Sequence, residues 1–177
     1  NNGLAIGELP KISDLKTGSI EPFRTNPIVI EDILGRPQRV HDTKKIQELK
    51  NKVILVTGAG GSIGSELCSQ INSINPKKII LVEHSEYNLF KITQSLKSAN
   101  CVPILSDIRD NFKIEKIIKT EKPDLIFHTA ALKHITFVET DPLEALKTNF
   151  ESTVNIAKLC IKYKITRMVF ISTDKAV

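Results

Sequence analysis

The chain has 177 residues, 41% of them apolar, and a formal net charge of +5. Length and apolar content suit one ordinary domain with a buried core. The lysines are scattered along prospective helices, and no basic run is interleaved with aromatics, which argues against nucleic-acid recognition.

No apolar run approaches the roughly 20 residues of a membrane span. Cys68, Cys101 and Cys160 lack metal-type spacing, so free thiols in a reducing cytoplasm are expected and no metal site. No signal peptide is evident, and the missing initial Met is read as the mark of a fragment.

Asn1 to Pro37 show no sustained period. Pro10, Pro22, Pro27 and Pro37, with Gly3, Gly7, Gly18 and Gly35, cut them into short extended pieces. Residues 1–37 therefore read as a linker and lead-in, with the domain proper over 38–177. Ile28–Ile30 suits a strand or an apolar anchor. His41 to Lys50 reads as a short helix, with Asp42 or Thr43 as cap and Ile46 and Leu49 facing inward.

Val53-Ile54-Leu55-Val56 is an unbroken apolar run with three β-branched residues, as a strand buried on both faces requires. Gly58, Gly60, Gly61 and Gly64 follow, and Ser62 to Ile74 has helical spacing through Ile63, Leu67, Ile71 and Ile74. Strand, glycine turn and helix together place a pyrophosphate at a helix N-terminus. A second strand, Lys78 to Val82, ends in Glu83, where a carboxylate accepts from the adenosine ribose and favours NAD over a 2′-phosphorylated cofactor. The bland alternative is a surface Glu after an ordinary turn. With strand, glycines and helix all in place, dinucleotide binding is the expectation.

Beyond Glu83 a helix is expected from Glu86 to Ser98 (Leu89, Ile92, Leu96 inward), then a strand from Val102 to Leu105. Asp110 caps a helix carrying Phe112, Ile114, Ile117 and Ile118. Pro123 ends it, and Asp124 to His128 forms the fourth strand. Asp141-Pro142 opens a helix to about Tyr163, with Leu143, Leu146, Phe150, Val154, Ala157 and Ile161 on its buried stripe. Met168 to Ile171 is the fifth strand, delivering Ser172. The alternation implies a doubly wound parallel α/β sheet whose strand C-termini line one crevice.

The motifs carry a resemblance. Thr57-Gly-Ala-Gly-Gly-Ser-Ile-Gly64 resembles the glycine fingerprint of extended short-chain dehydrogenase/reductases, a Rossmann fold. Glu83 to Asn88, Asp107 to Asp110, His128 to His134 and Ser172 to Ala176 resemble the bacterial polysaccharide-biosynthesis branch, the nucleotide-sugar 4,6-dehydratases. Ile30 to Pro37 is similar to the segment preceding the catalytic domain in long, membrane-anchored members. The resemblance implies a UDP-N-acetylglucosamine-type substrate and NAD. It also implies a homo-oligomer on the cytoplasmic face of the inner membrane, with no membrane contact from this segment. Members of that branch continue past the Ser-Thr-Asp-Lys run, so the chain is expected to be cut after the fifth strand, without the sugar-binding lobe.

A 4,6-dehydratase takes hydride from C4, eliminates water across C5–C6 and returns the hydride to C6. By resemblance Asp174 is the acid, Lys175 the C5 base, and Thr173 lies near C4. The alternative for this pair is a solvated turn. The resemblance further implies cofactor contacts from Gly58 to Gly64 (Ser62 and Ile63 included), Glu83, His84, Ser85, Asn88, Asp107, Ile108, Ala130, Ala131, Lys133 and Ser172. Lys133, His134 and Asn149 are substrate candidates. Alternatives stay open for several of these. Asp107 binds the adenine edge or leads a helix, and Ser85 touches the ribose or caps the helix after it. His134 is a ligand or a loop histidine, and Asn149 bonds substrate or a loop. His128 reads as structural. A C4 or C5 epimerase and a nucleotide-binding module without chemistry are the competing functions.

Overall fold

A computed structural model of the chain describes residues 7–8, 26–27, 47–98 and 100–172. Its contacts separate two units, 1–41 and 42–177. Within the first, β1 (Gly7–Glu8) and β2 (Asn26–Pro27) form a short antiparallel ladder. Ile28–Ile30 and most of the helix expected over His41 to Lys50 lie outside the described residues. Of that span, Gln47 to Lys50 end in turns, Lys50 N donating to Gln47 O at 3.1 Å.

The second unit is built on a five-stranded parallel sheet. Its strands are β3 (Val53–Thr57), β4 (Lys78–Glu83), β5 (Cys101–Leu105), β6 (Leu125–His128) and β7 (Arg167–Phe170), in the order β5-β4-β3-β6-β7. Ile54 pairs with Ile79 on one side and Leu125 on the other. All of β3 is buried, because side chains of both faces meet helices and no solvated face exists to favour polar alternation. From β3 the chain winds outward to β4 and β5, then returns to place β6 on the opposite side of β3. That reversal opens a crevice beyond the C-terminal ends of β3 and β6.

The helices are α1 (Ser62–Ser73), α2 (Glu86–Leu96), α3 (Asn111–Glu121), α4 (Ile135–Thr140) and α5 (Pro142–Ala145). A π-helical turn (Leu146–Glu151) then leads into α6 (Ser152–Lys162). Period-two alternation divides the strands between two cores. Ile54, Val56, Ile79 and Leu81 pack on Cys68 and Ile71 of α1 and Leu89 and Ile92 of α2. Leu55, Ile80, Val82 and Ile126 pack on Ile114 and Ile118 of α3 and Ile156 and Leu159 of α6. Asp124 ties β6 to β3: its carboxylate accepts from Val53 N at 2.8 Å and its own N–H donates to Val53 O at 2.8 Å.

Three expectations are corrected. Ile63 and Phe112 are exposed, since each lies on the outward side of its first helical turn. The helix expected from Asp141 to Tyr163 is three segments, and Asp141 sits at the N-cap position without a side-chain capping bond. Its buried residues are Ala145, Ser152, Ile156, Leu159 and Cys160, while Leu143, Leu146, Phe150 and Ile161 face outward. The period is right, but the buried stripe lies two positions away, on the opposite side at 3.6 residues per turn. Both faces are apolar, so the pattern alone does not choose between them. As the expected cut after the fifth strand implies, β7 is a sheet edge with Val169 and Phe170 exposed, its one strand neighbour among the described residues being β6.

Candidate functional site

The turn after β3 depends on its glycines. Gly58 has φ +64°, and a Cβ there would meet Ala130 N at 2.8 Å, in the loop after β6. A Cβ on Gly64 would lie 2.0 Å from Gly58 O, and one on Gly60 would lie 2.6 Å from Asn88 Cβ on α2. The first lets α1 pack onto the turn, and the second lets α2 close beside it. Helix α1 begins at Gly61 with no side-chain cap and no acidic residue in its first turn. Among the described residues no side chain answers its leading amides, which suits a bound anion. Helices α2 and α3 are capped from within, Ser85 Oγ accepting from Asn88 N and Asp110 Oδ1 from Lys113 N.

Glu83, 4% exposed at the end of β4, braces this turn. Its Oε2 accepts from Gly60 N at 3.0 Å, and Oε1 accepts from His84 N and Ser85 N, each at 3.0 Å. His84 Nδ1 also lies 3.0 Å from Oε1. The carboxylate thus fastens the glycine turn to β4 while one of its oxygens keeps acceptor capacity toward the crevice.

A second brace runs through His128, which is fully buried and stacked on Phe170. Thr57 Oγ1 accepts from Thr129 N at 3.2 Å and lies 2.7 Å from His128 Nδ1. Ala130 N donates to the same oxygen at 3.4 Å, so with both lone pairs taken by amides, and with the Thr153 hydroxyl proton given to Asn149 O, the Thr57 hydroxyl donates to Nδ1 and the ring proton sits on Nε2. That proton goes to Thr153 Oγ1, 2.9 Å away, which in turn donates to Asn149 O at 2.7 Å. Burial lowers the His128 pKa from 6.5 to about 4, which keeps the ring neutral and this chain of donors in one direction.

The crevice encloses about 300 Å³ and is lined by Gly58, Gly61, Glu83, His84, Asn88, Asp107, Ile108, Ala130 and Ala131 among the expected residues. Ser85 acts as a helix cap. Asp107 is held at the rim by Arg109, whose Nε donates at 3.0 Å and whose second nitrogen donates at 2.5 Å. Those bonds hold the Asp107 carboxyl below its usual range. Asn149, in the π-helical turn, clamps the loop after β6: Oδ1 accepts from Leu132 N at 2.8 Å and Nδ2 donates to Leu132 O at 2.9 Å. Lys133 and His134 are exposed and lie outside the crevice lining, as does Ser172. Thr173, Asp174 and Lys175 lie outside the described residues.

Sequence reasoning missed Arg109, Glu144, Thr129 and Thr148, which also line the crevice. Arg109 follows Asp107 in the same loop. The polar pair Glu144 and Thr148, four residues apart, marked the crevice face of the helix opposite the expected apolar stripe.

Residues 54–177 match the family model described as "Polysaccharide biosynthesis protein". The chain is 38% identical to the capsular polysaccharide biosynthesis protein CapD of Staphylococcus aureus, over 99% of this chain and 30% of CapD. It is 31% identical to a UDP-N-acetylglucosamine 4,6-dehydratase (inverting) of Campylobacter jejuni, over 71% of this chain and 37% of that protein. The X-ray structure of Pen from Bacillus thuringiensis is similar with a TM-score of 0.69 and 34% identity, over 73% of this chain and 41% of Pen. The chain spans about a third of the length of these curated relatives.

Proposed function

Since the chain belongs to the polysaccharide biosynthesis protein family, we propose that it is the dinucleotide-binding part of an NAD-dependent UDP-sugar 4,6-dehydratase. A UDP-N-acetylglucosamine-type substrate is the one proposed. The observation that carries the reading is the glycine turn joined to an uncapped helix start at the strand-order reversal, with buried Glu83 beside it. A Cβ at Gly60 or Gly64 would collapse this cradle, and the open amides of α1 match a pyrophosphate. Glu83 faces the adenosine ribose, and its negative charge disfavours a 2′-phosphate.

When bound, NAD supplies the acceptor that takes the C4 hydride and gives it back at C6. The protein residues do the rest. The Thr57–His128–Thr153 chain holds β3, β6 and the helix after β6 in register around the crevice. Asn149 fixes the loop carrying Ala130 and Ala131. Thr173, Asp174 and Lys175, directly after Ser172, are proposed as the C4 contact, the acid and the C5 base, with Lys133 and His134 toward the sugar nucleotide. No helix among the described residues is long and apolar enough to cross a membrane. Attachment to a membrane and homo-oligomerisation are proposed for the intact protein through segments other than these.

The test is incubation of the intact protein carrying this chain with UDP-N-acetylglucosamine, followed by NMR of the product. A 4-keto-6-deoxy sugar is expected. A 4- or 5-epimer instead would make it an epimerase. An unchanged sugar with NAD still bound would make it a binding module.

A further inference from the structure

Arg109 follows β5, and Glu144 lies on α5, beyond β6. In the sheet these two strands are separated by β4 and β3, three steps of about 4.8 Å, or roughly 14 Å. Yet the Arg109 guanidinium donates directly to Glu144 Oε2. The contact therefore joins the β5 side of the crevice to its β6 side, and both residues line the crevice together with Gly58 and Gly61. Each end is anchored. Asp107 grips Arg109 from its own loop, and Lys147 Nζ donates to Glu144 Oε1 at 3.1 Å. A ligand seated on the glycine turn and extending along the crevice reaches this pair.

We infer that the Arg109–Glu144 pair is a latch that closes over a dinucleotide in the crevice and slows its release. The inference rests on the NAD reading above. A cofactor reduced and reoxidised within one turnover has no need to leave, so retention does not compete with catalysis. The two links differ in strength. Arg109 and Asp107 share one short loop, whereas Arg109 and Glu144 meet from separate elements as half-exposed ions, so the cross-crevice link is the one that opens.

The experiment uses the intact protein loaded with NADH. Excess NAD displaces it, and the loss of NADH fluorescence is followed by stopped flow from about 0.05 to about 0.5 M salt. Glu144→Gln and Arg109→Gln are each expected to release NADH about two- to five-fold faster at low salt. Each should also respond less steeply to salt than the wild type. The double variant should be no faster than the faster single, since both remove one contact. Multiplying effects in the double variant, or singles with wild-type rates and wild-type salt response, would overturn the latch alone. A wild-type protein that takes up no NADH would remove the dinucleotide reading and the latch with it.

Discussion

A methyl group at position 64 would sit 2.0 Å from Gly58 O, closer than any non-bonded contact allows. Gly64→Ala must therefore push α1 off the turn. We expect it to lower stability by roughly 1–3 kcal/mol and to weaken NAD binding by at least an order of magnitude. Thermal melting and an NAD titration of the variant check both, and wild-type values in both would contradict the packing of α1 on the turn. His128 sets a pH dependence of known sign. Its folded pKa of about 4 lies below the ordinary 6.5, so between these values the unfolded chain binds the extra proton. Stability is fully present above pH 6.5 and falls as the pH drops toward 4, by roughly 3 kcal/mol at full extent. Urea unfolding across that window should show the slope, and His128→Gln should flatten it. An equal slope in the variant would mean that other groups carry the acid sensitivity.

At the scale of elements, the π-helical turn and the loop after β6 act as one piece through Asn149. Removing the amide with Asn149→Ala leaves the Leu132 N–H and C=O without their protein partners, at a cost of about 1–2 kcal/mol. Amide exchange at Leu132 should speed at least several-fold, and unchanged protection there would contradict the clamp. Much of this architecture was legible in the sequence. β3, the glycine turn, α1, β4 and Glu83 are contiguous, and each announces itself by a local period or a glycine. Asp110 and Pro123 likewise marked the limits of α3. The face of the helix after β6 was not legible, because Leu143, Leu146 and Phe150 form as good a stripe as Ala145, Ser152 and Ile156. Small Ala145 and Ser152 are buried, while the larger residues face outward. Nor could spacing reveal the Arg109–Glu144 contact, since only the strand order brings residues 35 apart together across the crevice.

On the scale of the molecule, large apolar side chains stand exposed among the described residues. Leu132, Ile135, Phe137, Leu143, Leu146 and Phe150 are among them, as are Val169 and Phe170 on the β7 edge. An apolar edge strand with one unpaired side is a template for another chain. The 177-residue polypeptide on its own should self-associate as its concentration rises, and Val169→Lys should reduce this. Sedimentation of both forms checks it, and a monomer at every concentration would contradict it.

Calorimetric titration of the intact protein with NAD and then NADP tests the proposed dinucleotide cradle most directly. Single-site uptake of NAD, with NADP at least ten-fold weaker because its 2′-phosphate meets the Glu83 carboxylate, is the predicted result. Absence of heat with NAD, or equal affinity for the two, would contradict it.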